Sequence, residues 1–138
     1  LHLDNLVAGG LPWGISLAEN LRKECREEAG MDADLADSAV PVGAVTYCRA
    51  SKGGLKPDVM YCYDLELPEG FTPRCTDGEV EAFYLWPVEQ VMETVRDTAE
   101  FKLNCNLVII DFLVRRGYLD QDSPDYLDIL QGLRRPLP

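Results

Sequence analysis

The chain has a single histidine, His2, and its five cysteines, at positions 25, 48, 62, 75 and 105, form no CxxC pair. A zinc site draws on clustered cysteine and histidine ligands, and a disulfide framework on an even cysteine set, so neither is expected. Free thiols suit a reducing compartment. No apolar run approaches the roughly 18 residues that span a bilayer, and no secretory leader is evident. Basic residues are few, 13 Lys and Arg against 24 Asp and Glu, giving a net charge of −11. A nucleic-acid surface needs a basic stripe along the phosphates, which this balance argues against. An anionic small molecule would have to be met by a metal and local cations rather than by the overall field. Internal repeats and low-complexity tracts are absent as well.

What is present is an ordinary globular composition, 46% hydrophobic and 27% charged, over 138 residues. That length suits one domain with a core of its own. The organising stretch is Gly9–Met31, GGLPWGISLAENLRKECREEAGM. Ser16 followed by Glu19 is a capping box, which satisfies backbone donors at a helix start, and Gly30 supplies a left-handed stop. These signals predict a helix over Leu17–Ala29, with Lys23 placed to pair with Glu19 one turn back. At about 100° per residue, Glu24, Glu27 and Glu28 share one arc beside the apolar sector of Leu17, Leu21, Cys25 and Ala29. Such carboxylates repel by a few tenths of a kcal/mol per pair, and they crowd the negative end of the helix dipole. A solvated acidic face is one use of such a trio. The other is a hard divalent cation, Mg²⁺ or Mn²⁺, which turns the repulsion into coordination.

The surrounding spacing favours the cation, because the segment resembles the Nudix box. That pattern is Gly, five residues, Glu, seven residues, then Arg-Glu-U-x-Glu-Glu-x-Gly-U, with U bulky and apolar. Gly9, Glu24, Cys25, Glu27, Glu28, Gly30 and Met31 match it. Two positions depart: Ile15 stands where a glutamate is expected and Lys23 where an arginine is, and in the family those two commonly pair. The segments PVGAVTYC, DVMYCYDLELPEGF, DGEVEAFYL and NCNLVIIDFLVRRGY extend the likeness along nearly the whole chain. Together they look like the Nudix branch related to thiamine pyrophosphokinase. The resemblance implies metal-dependent hydrolysis of a diphosphate, with thiamine diphosphate or its oxo and oxy forms as substrate. It also implies that Glu24, Glu27 and Glu28 hold the metal, and that Glu27, Glu28 or a further acid takes a proton from water.

Along the rest of the chain, Leu1–Ala8 is expected as a strand and Asp32–Ser38 as a short helical connection. Val40–Ala50 reads as a strand, 51–57 as a long loop, and 58–68 as the returning strand of a hairpin. Arg49, Lys52 and Lys56 are the local cations best suited to phosphate oxygens, Arg49 and Lys56 foremost. Tyr61, with Tyr47 and Tyr63, could flank a heteroaromatic ring or belong to the core by alternation. Trp13 could stack on such a ring or lid the core. Residues 80–86 read as a strand entering a helix at Pro87, and Glu79 at its mouth is the candidate further acid, or else a plain turn residue. Helices are expected over 88–95, over 104–116 ended by Gly117, and from Ser123 with Pro124 at its first position. Asp111 reads as a capped or edge acid, not a catalytic one.

The expected fold is an α/β/α sandwich with a mixed sheet, a Nudix domain over 1–138 lacking its N-terminal strands. Only eight residues precede Gly9, and Leu1 is not an initiator methionine, so the expectation is part of a longer protein, completed by an N-terminal domain or a homodimer partner. The expected partner is a small diphosphate, without nucleic acid or membrane, in the cytoplasm. Another nucleoside or isoprenoid diphosphate, or a Nudix-fold fragment that binds without turnover, are the alternatives.

Overall fold

In the computed structural model, which describes residues 2–76 and 78–138, the helix of the organising stretch, α1, runs over Leu17–Ala29. Ser16 Oγ accepts from the Glu19 amide at 3.1 Å. At the other end Gly30 takes φ 70°, its amide donates to Arg26 O at 3.0 Å, and the Met31 amide donates to Cys25 O at 3.1 Å. This paired closure satisfies two carbonyls that a helix end leaves orphaned. Asp32 then caps a second short helix, α2 over Ala33–Asp37, by accepting from the Leu35 amide at 2.8 Å. Helices α1 and α2 enclose Cys25, Ala29, Met31 and Ala36, and Leu6, Val7, Leu21, Leu35, Leu65, Leu67 and Phe71 pack around them.

The chain divides into two compact units, each assembled from two separate stretches. The first takes the chain up to Val40 and again over Asp64–Phe101. It holds α1, α2 and a third helix, α3 over Val88–Asp97, with Pro87 at the N-cap. The second comprises Pro41–Tyr63 and Lys102–Pro138. Its hairpin of β1, Val40–Ser51, and β2, Gly54–Asp64, carries its end residues over into the first unit. Helices α4, Leu103–Arg115, and α5, Tyr126–Leu133, complete it. Val45, Cys62 and Leu133 are its buried centre, packed by Leu107, Val108, Ile110, Val114 and Ile129.

Several expectations are corrected. The sheet of the described residues is the two-stranded β1–β2 hairpin, not a mixed sheet between helix layers. In Leu1–Ala8, where Leu1 lies outside the described residues, the expected strand reduces to one parallel bridge of Leu3 with Phe101, the Leu3 amide donating to Glu100 O at 2.8 Å. Residues 80–86 are irregular. Alternating hydrophobicity makes a strand only where a neighbour supplies a ladder, and Trp86 instead meets Tyr84 and Phe101 by ring contacts at 6.0 and 6.3 Å. The hairpin loop is tighter than expected, with only Lys52 and Gly53 between the strands and Gly54 at φ 113°. Pro124 precedes α5 instead of opening it, because the Ser123 and Tyr126 pair closes a turn there first.

Asp111 is an interior residue of α4, wholly buried, where its carboxylate meets Arg115 Nε at 3.1 Å and the guanidinium of Arg134. Thr46 donates its hydroxyl to Arg135 O at 2.6 Å beside a parallel bridge to Arg134. Asp111 therefore ties α4 to the end of α5, and Thr46 ties that end to β1. Burial, and after it the nearby Asp111 charge, pushes the Cys62 thiol up from its ordinary value.

Candidate active site

Three successive residues of the glycine turn lie against three successive turns of α1. The Ala8 amide donates to Glu28 Oε2 at 2.8 Å. Gly9 abuts Glu24: a Cβ there would stand 2.4 Å from the carboxyl carbon and 2.5 and 2.8 Å from its oxygens. Asn20 Nδ2 donates to Gly10 O at 3.1 Å. Ala8, Gly9 and Gly10 thus meet residues 28, 24 and 20 in turn, so the extended segment runs antiparallel along the acidic arc. The missing Cβ at position 9, not an unusual backbone angle, leaves the room that the Glu24 carboxylate occupies. Gly9→Ala should displace the Glu24 carboxylate without unfolding the protein. The expected outcome is about tenfold weaker Mn²⁺ binding in a titration followed by electron paramagnetic resonance, with Tm within about 2 °C of the parent.

The far end of α1 is held by the irregular segment that carries Arg74 and Thr76. The Arg74 amide donates to Ala29 O at 2.9 Å, and Thr76 donates to Glu27 O twice, through its amide at 2.8 Å and its hydroxyl at 3.0 Å. These donors occupy carbonyls that the helix cannot satisfy itself. They also offset the negative end of the helix dipole where Glu27 and Glu28 sit. Glu79 follows this anchored segment, is exposed, and has interaction partners of its own. The only sequence signal was the pairing of threonine with glycine and proline in 69–78, which marks a turn but not its docking partner.

Lys23 does not pair with Glu19; its Nζ lies 3.9 Å from Glu24 Oε1. Arg22 instead binds Asp37 with two contacts of 2.6 and 3.0 Å, joining α1 to α2 and holding the Asp37 carboxyl below its usual range. Between α1's apolar side and the acids sits Cys25, buried, its thiol pushed up first by burial and then by the Glu28 and Glu24 charges. A thiol so placed stays protonated, which removes it as a nucleophile.

Glu24, Glu27 and Glu28 fit a hard divalent cation by donor type, by their shared helix face and by the cradle that Gly9 leaves open. Among the described residues, however, no three His, Cys, Asp or Glu side chains are gathered as a metal cluster. With Glu28 on the Ala8 amide and Glu24 against Gly9, closing them around an ion requires rotation of their side chains, which their half-buried positions permit.

The remaining candidates are placed separately. Trp13, in the first unit, is wholly exposed. Arg49, Lys56 and Tyr61 belong to the hairpin of the second unit, where all three are exposed. Arg49 is engaged with Asp58 at 3.8 Å, and Asp58 also raises the Tyr47 phenol, after burial, from its ordinary value. A pocket of the second unit is lined by Val114, Gly117, Leu119, Asp120, Asp122 and Tyr126, none of them anticipated as functional.

An α-helix closed by a capping box and a glycine stop, with three acids on one arc under a glycine turn, resembles a Nudix-type motif. No family model matches the chain. The chain is 56% identical over 132 residues to Nudix hydrolase 20, chloroplastic, of Arabidopsis thaliana, covering 96% of this chain and 35% of that protein. It is 55% identical over 132 residues to Nudix hydrolase 24, chloroplastic, of the same plant, covering 96% of this chain and 36% of that protein. A protein of Saccharomyces cerevisiae described as uncharacterized is 36% identical over 151 residues, covering all of this chain and 44% of that protein. The chain thus spans about a third of the length of the two plant relatives. These similarities support the Nudix superfamily for this stretch of sequence. No helix is long and apolar enough to cross a membrane among the described residues.

Proposed function

We propose that this chain is the hydrolase portion of a Nudix diphosphate hydrolase, cleaving a phosphoanhydride in a small organic diphosphate of the thiamine diphosphate type. What supports it most is the intact acidic arc of α1, lying under the Ala8–Gly10 turn at the box spacing. Glu24, Glu27 and Glu28 would hold Mg²⁺ or Mn²⁺, which when bound neutralises phosphate charge and acidifies a water. The chain's own part is to hold those carboxylates at one face and to accept a proton. Glu27, Glu28 or Glu79 fills the second role, as carboxylates within reach of water do. Arg49 and Lys56 enter by their chemistry, as charge-assisted donors to phosphate oxygens, and Trp13 and Tyr61 as aromatic faces for a heterocycle. The fold proposed for the complete protein is the α/β/α sandwich with a mixed sheet, finished by a further N-terminal domain or a second copy. Free cysteines point to a reducing compartment, either the cytoplasm or the chloroplast that the plant relatives' names indicate.

Phosphate release with and without Mg²⁺ tests this, using thiamine diphosphate, its oxo and oxy forms, ADP-ribose and a nucleotide sugar. The chain and a version extended at its N-terminus are assayed together. Metal-dependent release favouring the thiamine compounds is expected. Preference for ADP-ribose or the nucleotide sugar would keep the reaction and replace the substrate. Silence of both lengths with every compound would refute hydrolysis and leave a ligand-binding Nudix fold.

A further inference from the structure

We infer that Asn20 is a positioning residue for Glu24: its side chain latches the glycine turn, and the turn sets the carboxylate. The inference rests on the metal role proposed above for the acidic arc. At about 100° per residue, Asn20 falls inside the arc bounded by Glu27 and Glu28, one turn before Glu24. It is only 8% exposed, which is unusual for an amide side chain on a helix of this size. Its Nδ2 reaches ten residues back to Gly10 O, while its Oδ1, equally buried, has no hydrogen-bond partner among the described residues.

Leaving a buried acceptor unpaired costs more than the single neutral contact to Gly10 returns. Gly10 is exposed, so its carbonyl would bond water without Asn20. Stability therefore does not account for the amide. Its position does. Gly10 is the last rung of the run in which Ala8 meets Glu28 and Gly9 meets Glu24, and Asn20 is the one helix side chain that grips this run by donating to it. Ile15 and Lys23 offer no alternative tie, since an alkyl group cannot pair with the ammonium, which lies instead near Glu24. Freeing the turn lets Gly9 withdraw, and the Glu24 carboxylate loses the wall that fixes its orientation.

The test is a double-mutant cycle on Mn²⁺ affinity of the resting protein, read by electron paramagnetic resonance, alongside Tm. Asn20→Leu should weaken Mn²⁺ binding about tenfold, as loss of an outer-shell support does, with Tm equal to or above the parent. In a Gly9→Ala background, where Glu24 is already displaced, Asn20→Leu should weaken it by less than about twofold further. Parent-like affinity in Asn20→Leu would overturn the inference. So would independent, multiplying effects of the two changes, or a fall in Tm of more than about 4 °C, which marks a structural role. A parent that binds no Mn²⁺ at all would remove the metal reading itself and this inference with it.

Discussion

Glu28→Gln should lower metal-dependent phosphate release by about 100-fold or more, a barrier increase of roughly 2.7 kcal/mol, with Tm within about 2 °C of the parent. On the metal role proposed for Glu28, the change removes a ligand charge at nearly constant shape. The Ala8 amide, now 2.8 Å from Glu28 Oε2, keeps a carbonyl oxygen to donate to, so the glycine turn stays docked. Glu27→Gln should behave alike. What holds the Thr76 segment is the backbone carbonyl of Glu27, at 2.8 and 3.0 Å, not its carboxylate. Rates within threefold of the parent for both variants, measured at saturating Mg²⁺, would remove these glutamates as metal ligands.

The largest stability effect should come from Asp111→Ala, which strips the shared partner from Arg115 and Arg134. Breaking a buried ion pair costs about 3–5 kcal/mol. The lower end is expected here, because Arg115 and Arg134 retain 22% and 45% side-chain exposure and can rehydrate. A loss of about 3 kcal/mol corresponds to a fall in Tm of about 10 °C for a chain of this size. Asp111→Asn, which keeps the shape and one acceptor oxygen for an arginine while losing the other, should lose less. Urea melts of the two variants check the order, and equal stability of parent and Asp111→Ala would show that the acid does not hold α4 to the end of α5.

What was legible in the sequence was whatever short-range chemistry determines. Ser16, Glu19 and Gly30 dictate the bounds of α1 because a cap acts within one turn of the residue that carries it. The likeness to the Nudix box was legible because the acids lie on one helix, at spacings that the helix itself converts into a face. The strands at 1–8 and 80–86 were misread for the opposite reason. A strand is a property of a pair, and alternation in one member says nothing of the other. Asn20 and Thr76 escaped notice because their partners, Gly10 and Glu27, contribute backbone carbonyls, which every sequence has everywhere. Asp111 was placed at an edge because a lone acid in an apolar helix looks unsupported until Arg134, far along the chain, is brought to it.

The interleaving of the two units bears on how the chain folds. The first unit waits for Asp64–Phe101 before it can close over α1, and the second waits for Lys102–Pro138 before its hairpin is covered. Each closure spans an intervening stretch that belongs to the other unit, so its loop entropy must be met before any long-range contact compensates. The acidic helix forms its own caps at once, but its core of Leu65, Leu67 and Phe71 arrives only after the hairpin has been made. Slow closure through long-range contacts is the consequence, with the hydrophobic face of α1 uncovered until the residues after the hairpin join it.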